Sequence, residues 1–396
     1  MAALPEYTVT PEVAQFRAEV REWLSIHWPA ERKAAHDALP SKQRLWDPGF
    51  SKELGEQGWI ALSWPKRFGG QARSPMEIWA FAEEMRRAGA PLRYHGVASG
   101  VVAGALMSFG TEEQQQEWLP RIREGRVSFC LGYSEPGSGS DLASLRTRAE
   151  RDGDEWVING QKIWTTFAED ADYLWLAART DAEATPQHAG ISIFIVPMNA
   201  AGITLQPSMA MYGKTFANEF LDNVRVTNEA LIGPENGGWK VITGALADER
   251  ISMGGFVIDA QRVFDRIVDH ILISELNGRP MSSDPLVRDR VAGLAAEIEM
   301  ARQLSRNAVQ QIELGHSGLT EAAMSKTFTG ELMQRLCEAA LDILGMGALL
   351  SKDNPGSLVG GEVEYSLRES IMLVIGGGTN EIQRTLIAQR GLGLPR

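Results

Sequence analysis

Between Tyr133 and Asp141 the chain reads Tyr-Ser-Glu-Pro-Gly-Ser-Gly-Ser-Asp, directly after a predicted strand. Gly137 and Gly139 free the backbone to turn its amides toward a common point. Ser134, Ser138 and Ser140 add hydroxyl donors. Such a loop can cradle a phosphate or the polar edge of a ring without a net basic charge. A solvated connection is the commoner use of a Gly/Ser-rich loop, and the composition alone does not separate the two. Downstream, Asn159-Gly-Gln-Lys-Ile-Trp-Thr-Thr166 offers Trp164 as a flat apolar surface for a ring, with Thr165 and Thr166 on alternate faces of a strand. An ordinary core tryptophan is the competing reading, and it is a serious one in a chain with 11 tryptophans.

A third candidate is Glu249, in Ala247-Asp-Glu-Arg-Ile251. On a helix its same-face neighbours are Ala245, Ser252 and Met253. A carboxylate among such small or apolar groups is poorly solvated and rises in pKa, as suits a general base. A surface glutamate explains the same residues, and the pattern favours neither. Arg250 points about 100° away around the helix. Near the C-terminus, Ile375-Gly-Gly-Gly-Thr-Asn-Glu-Ile-Gln-Arg384 combines close backbone approach with Thr379 and Asn380 as helix caps. A helix N-terminus suits an anion; a tight turn between helices is the commoner use of such a joint. Six scattered histidines lack metal-ligand spacing, and no HExxH, GxSxG or P-loop occurs.

The elements that must position these residues fall into three regions by hydrophobic period: 1–125 helical, 126–233 β, and 234–396 helical. Thr10-Pro11-Glu12 reads as cap, N1 proline and acidic first turn. Val13, Phe16, Val20, Trp23 and Leu24 then form one helical face. In the middle region the period drops to two, and strands are expected over 127–133, 156–164, 173–178, 191–197, 202–206 and 219–226. Asp152-Gly-Asp154 and Asn159-Gly160 read as turns. Strands in a run without intervening helices imply an antiparallel barrel or sandwich, not a Rossmann sheet. From Gly237 on, helical stripes return: Val287, Val291, Leu294, Ile298 and Ala301, continued by Ala308 and Ile312, then Leu332, Leu336, Ala339 and Ile343. The fold class is α+β multidomain, ending in a four-helix bundle.

Composition sets outer limits. With 39 basic and 51 acidic residues the net charge is −12, which argues against a nucleic-acid partner. Two distant cysteines form no CxxC and favour a reducing compartment. No apolar run reaches the ~18 residues of a membrane span, and the start lacks signal-peptide features. The expectation is a cytoplasmic protein.

The three quoted stretches, in this order and spacing, resemble the flavin-dependent acyl-CoA dehydrogenases over nearly the whole chain. That resemblance implies FAD, an acyl-CoA substrate and an electron-transfer flavoprotein as electron acceptor. The position of Ser134 would hydrogen-bond the flavin pyrimidine, and Trp164 and Thr166 would lie beside the isoalloxazine. Ser140 would lie near the FAD phosphates and the substrate's pantetheine, with Arg250 also on the substrate side. Thr379 and Glu381 would lie near the adenosine half. Family members share FAD across a subunit interface, so a homodimer or homotetramer is implied, with a heterotetramer open. An adenosine-side arginine comes from an Arg-Lys-x-Phe-Gly segment in the family. This chain reads Asn277-Gly-Arg-Pro-Met281, with Arg279 as counterpart but no phenylalanine.

Many family members carry the catalytic base in a Tyr-Glu-Gly-Thr sequence, where this chain has Gly376-Gly-Gly-Thr379. A subset places it in a Glu-Arg pair on the first bundle helix, and Glu249-Arg250 matches that pair. The resemblance thus implies α,β-desaturation with Glu249 removing the α-proton. The glycines at 376–377 suggest a substrate bulky or branched near the thioester. Two rival readings are an oxygen-using relative, either an acyl-CoA oxidase or a flavin monooxygenase, and a subunit completing the FAD site of a heteromeric dehydrogenase.

Overall fold

A computed structural model describes residues 10–39, 46–92, 95–213, 215–244 and 256–395. The described helices and strands divide into two compact units.

One unit joins helices from both ends of the chain. Helix α1 (Pro11–His27) starts as expected: Thr10 accepts from the Val13 amide and Pro11 occupies the first turn. Val13, Phe16, Val20 and Leu24 are buried, while Trp23 is only half-buried. Helix α2 (Ala30–Asp37) follows, and α4 (Pro75–Ala88) packs beside α1 after a Ser74/Glu77 capping box. Arg17 of α1 bonds Glu83 and Glu84 of α4, both at 2.6 Å. Against α4 pack α7 (Phe256–Ile273) and α8 (Pro285–Glu313); α9 (Leu319–Leu344) packs on both of these, and α10 (Glu362–Ile375) and short α11 (Asn380–Leu386) pack on α9. The expected stripes are the core: Val287, Leu294, Ile298 and Ala301 on α8 meet Leu332, Leu336 and Ala339 on α9.

The other unit packs α3 (Pro48–Glu56), α5 (Ala103–Phe109) and α6 (Glu112–Arg123) with an eight-stranded sheet. Its strands are β1 (Phe129–Gly132), β2 (Arg148–Asp152), β3 (Glu155–Thr166), β4 (Tyr173–Arg179), β5 (Ile191–Pro197), β6 (Ile203–Met209), β7 (Thr215–Thr227) and β8 (Leu231–Ile232). Seven run in the order β6-β7-β3-β2-β4-β5-β8, and β1 lies beside β4. The expected all-antiparallel arrangement needs correction, because β1 pairs with β4 in parallel, Phe129 opposite Tyr173. The sheet is mixed. Strands β4 and β5 are buried on both faces, which makes their sequences continuous apolar runs. One face meets Leu106, Trp118 and Ile122 of the helices; the other joins Trp156, Ile158 and Leu221.

Asp152-Gly153 does turn the chain, with Gly153 at φ 63°, but the strand before it, β2, was not expected. Asn159-Gly160 is not a turn. It lies inside β3 at a register irregularity against β7, where Ile158 pairs with Val224 but Gly160 with Leu221. A Cβ at Gly160 would sit 2.7 Å from the Thr147 Cα, so glycine serves close approach there. Among the described residues no helix is long and apolar enough to cross a membrane.

Candidate active site

The loop after β1 is built on one buried ion pair. Glu135 and Ser138 exchange backbone hydrogen bonds of 2.7 and 3.0 Å, closing a tight turn over Pro136 and Gly137. The Glu135 carboxylate turns inward and accepts from the amides of Arg146 (2.6 Å) and Thr147 (2.8 Å). Lys162, fully buried on β3, completes it with a 2.8 Å bond and also donates to the Tyr133 carbonyl at 3.1 Å. Burial opposes the charge on Glu135, but Lys162 and the two amides outweigh it and hold the carboxyl below its ordinary range. Burial pushes Lys162 down to about 8, with Glu135 resisting. The Ile163 amide then donates to the Ser134 carbonyl at 2.9 Å, tying loop to strand.

Ser138 is not one of the outward donors. Its hydroxyl is buried and donates to the Asp141 carbonyl at 2.9 Å. Ser134 is half-buried and Ser140 exposed. Gly137 and Gly139 lack the left-handed backbone found at eighteen other described glycines, and a Cβ at either would meet no atom of the described residues within 4 Å. Packing and conformation therefore do not demand glycine at 137 or 139.

Strand β3 ends in a bulge. Lys162 pairs with Glu219 but Thr165 with Ala217, so β3 holds one extra residue there. Trp164 takes up the excess at φ 62°, a left-handed conformation that costs a bulky side chain roughly 1–2 kcal/mol. Its indole is 62% exposed, so it is not a core tryptophan, and it meets Phe216 edge-on at 6.0 Å. Thr165 points inward and Thr166 is half-buried. An exposed, strained indole next to a loop of hydroxyls gives a flat apolar wall with polar groups at its edge, which fits a planar heteroaromatic ring.

In the bundle unit, α10 ends at Gly376, whose amide donates to the Met372 carbonyl. Gly377 (φ 66°) and Gly378 (φ 82°) are left-handed, and Thr379 caps α11 by accepting from the Ile382 amide at 3.3 Å. Asn380 is not a cap. It is buried in the first turn, between Lys326 (2.8 Å) and Glu331 (3.0 Å). Lys326, on α9, also donates to the Gly378 carbonyl at 2.9 Å. Burial lowers Lys326 to about 8. Glu381 is exposed, and its own backbone amide and the Thr379 hydroxyl hold it below the ordinary range. Arg279 is exposed on a two-stranded hairpin (Glu275–Leu276 with Arg279–Pro280), turned by Asn277 and Gly278 at φ 53° and 75°. Glu249 and Arg250 lie outside the described residues.

The sequence reading missed Glu135, Lys162 and Glu219. A usable signal was present: Trp156, Ile158 and Lys162 share one parity on β3, which places the lysine inward.

Models of the acyl-CoA dehydrogenase N-terminal, middle and C-terminal domains match residues 10–126, 130–224 and 236–392. The acyl-CoA dehydrogenase FadE26 of Mycobacterium tuberculosis is 36% identical over 98% of both chains. The chain belongs to the acyl-CoA dehydrogenase family. The human mitochondrial short-chain-specific enzyme is 29% identical over 89% of this chain and 84% of its own. Among solved structures, the Tcur3481-Tcur3483 steroid ACAD is 37% identical with a TM-score of 0.89, covering 98% of each chain. The ChsE4-ChsE5 complex from Mycobacterium tuberculosis is 35% identical with a TM-score of 0.89, covering 99% of this chain and 100% of that one. The helical, β and helical regions are those of this family, an oxidoreductase class acting on CH–CH bonds, and the family implies FAD.

Proposed function

We propose that this chain is the base-carrying subunit of a heteromeric acyl-CoA dehydrogenase that desaturates a bulky thioester, of the steroid-derived kind. The observation that carries this reading is the full-length likeness to chains described as a steroid ACAD and as part of a ChsE4-ChsE5 complex. Two sequence features agree with it. The segment around Arg279 lacks the family's phenylalanine, so a partner subunit is assigned the completion of the adenosine contact. Glycines at 376 and 377 leave the terminal joint without a carboxylate side chain.

Ser134, Trp164 and Thr166 are assigned to the flavin ring, Ser140 to its phosphates and to pantetheine, and Thr379, Glu381 and Arg279 to the adenosine half. FAD, when bound, supplies the acceptor for the hydride leaving the substrate β-carbon. Glu249 removes the α-proton, and Arg250 lies on the substrate side. A thioester α-proton is too weakly acidic for a carboxylate unless hydrogen bonds stabilise the charge developing on the thioester oxygen. Excluding water from the apolar surroundings strengthens those bonds. Electrons leave to an electron-transfer flavoprotein.

The test is expression alone and with a candidate partner subunit, followed by flavin absorbance and turnover on a panel of acyl-CoA thioesters. Flavin retained only in the co-expressed pair, with bulky thioesters turned over, supports the reading. A yellow, fully active homo-oligomer refutes the heteromer, and rapid reoxidation by air supports an oxidase instead. In the active form, Glu249→Gln keeps FAD and loses turnover; undiminished turnover removes Glu249 as the base.

A further inference from the structure

Strand β7 carries an anomaly. Ala217, Glu219 and Leu221 alternate onto one buried face, while Phe220 between them is exposed. Ordinary alternation would send the phenylalanine inward and the glutamate out. Glu219 is fully buried, and its Oε1 has no hydrogen-bond partner among the described residues. Its Oε2 accepts from the Thr165 hydroxyl at 2.7 Å. Thr165 is the residue between Trp164 and Thr166, and it sits at the exit of the bulge.

We propose that Glu219 is a positioning residue: through Thr165 it fixes the bulge 163–166, and so sets the pose of Trp164 and Thr166 against the flavin. The inference rests on the reading of Trp164 and Thr166 as the flavin wall. The geometry explains why a carboxyl occupies an apolar face. A strand with one extra residue and a left-handed tryptophan relaxes toward regular pairing unless something holds the far side of the bulge. The near side is held by Lys162, which grips Glu135 and the Tyr133 carbonyl. The far side is held by Glu219. Lys162 and Glu219 face each other across β3 and β7, so the two anchors flank the bulge on one buried face. The groups around Glu219 are Lys162 and Thr165 from β3 and Cys130 from β1, whose thiol is raised by burial first and by Glu219 second. Burial likewise raises Glu219 itself, to about 7, which suits a carboxyl retained as a hydrogen-bonding partner.

The decisive measurement is amide hydrogen exchange of segment 163–167 in the full-length protein, beside global thermal unfolding. Thr165→Val removes only the hydroxyl, and Glu219→Leu replaces the carboxyl with a side chain suited to the Ala217/Leu221 face. Both are expected to speed local exchange roughly tenfold, the worth of one lost hydrogen bond. Glu219→Leu should do so without lowering the unfolding midpoint, since it removes a buried polar group. Glu219→Gln, which still accepts from Thr165, should stay near wild type. In the flavin-loaded protein, visible circular dichroism of the bound ring should change in Thr165→Val and not in Glu219→Gln. Wild-type exchange at 163–167 in Glu219→Leu overturns the proposal, as does protection lost evenly over the whole sheet. The exchange readout needs no flavin, so failure of the protein to take up FAD would sink the functional reading and leave this result to stand or fall separately.

Discussion

Ionising Glu219 should cost folding stability, and the size follows from its burial. In an unfolded chain the carboxyl titrates near 4.5; in the folded protein burial raises it to about 7, against the pull of Thr165. Between those values the folded state holds a proton that the unfolded state has lost. Stability is therefore full below pH 4.5 and falls as pH rises through about 7. At 1.36 kcal/mol per unit the difference amounts to about 3 kcal/mol. Glu219→Gln removes this titration while keeping shape and the bond from Thr165. Lys162, lowered to about 8, titrates in both proteins, and its coupling to Glu219 is part of the difference between variant and wild type. Chemical denaturation from about pH 4 to about pH 8.5 should show the variant gaining about 3 kcal/mol relative to wild type. In thermal unfolding that is about 6–12 °C for a cooperative unit of ~150–250 residues. A stability difference that stays constant across the range would show that the carboxyl does not titrate in this window, and the burial argument would fail.

Lys162→Met leaves Glu135 with two amides but no counter-charge; a loss of about 3 kcal/mol is expected in denaturant melts, with faster FAD release. Lys326→Met removes the lysine donor from the Gly378 carbonyl and from Asn380 Oδ1, so hydrogen exchange over 376–384 should rise while the sheet is unaffected. Gly160→Ala would place a methyl 2.4 Å from the Thr147 hydroxyl, and a loss of about 1–3 kcal/mol should appear in thermal unfolding. Phe220→Ser, on the neighbour of Glu219 that faces the other side, gives up the covered part of a 38% exposed ring and should cost about 1–3 kcal/mol in the same assay.

The helices were legible because each carries its own start and face. Thr10-Pro11 opens α1 where the sequence places it, and the Val287-to-Ala301 stripe is the buried side of α8. Six strands were legible from turns and β-branched runs. Strand β2 was not: Arg148-Ala-Glu-Arg-Asp152 has one buried residue, Ala149, and reads as polar loop. The parallel pairing of β1 with β4 is a tertiary fact that no local pattern records. Of the candidate site, the glycine-serine loop and Trp164 stood out by residue type. Their support did not, because Lys162 and Glu219 look like surface charges until strand parity buries them, and Glu135 until its turn folds the carboxylate onto Lys162.

The terminal glycines connect backbone conformation to the choice of base. Gly377 and Gly378 are both left-handed, and the Gly378 carbonyl is fixed by Lys326. An L-residue at 377 would take on backbone strain of roughly 1–2 kcal/mol, so the joint as folded here disfavours a glutamate at that position. On the proposed assignment of the base to Glu249, no carboxylate is needed at 377 and the glycines are free to serve the turn. The joint itself turns tightly into α11 under Thr379 with no side chain at 376–378. Restoring a glutamate at 377 would strain the joint, without recreating the arrangement that relies on Glu249.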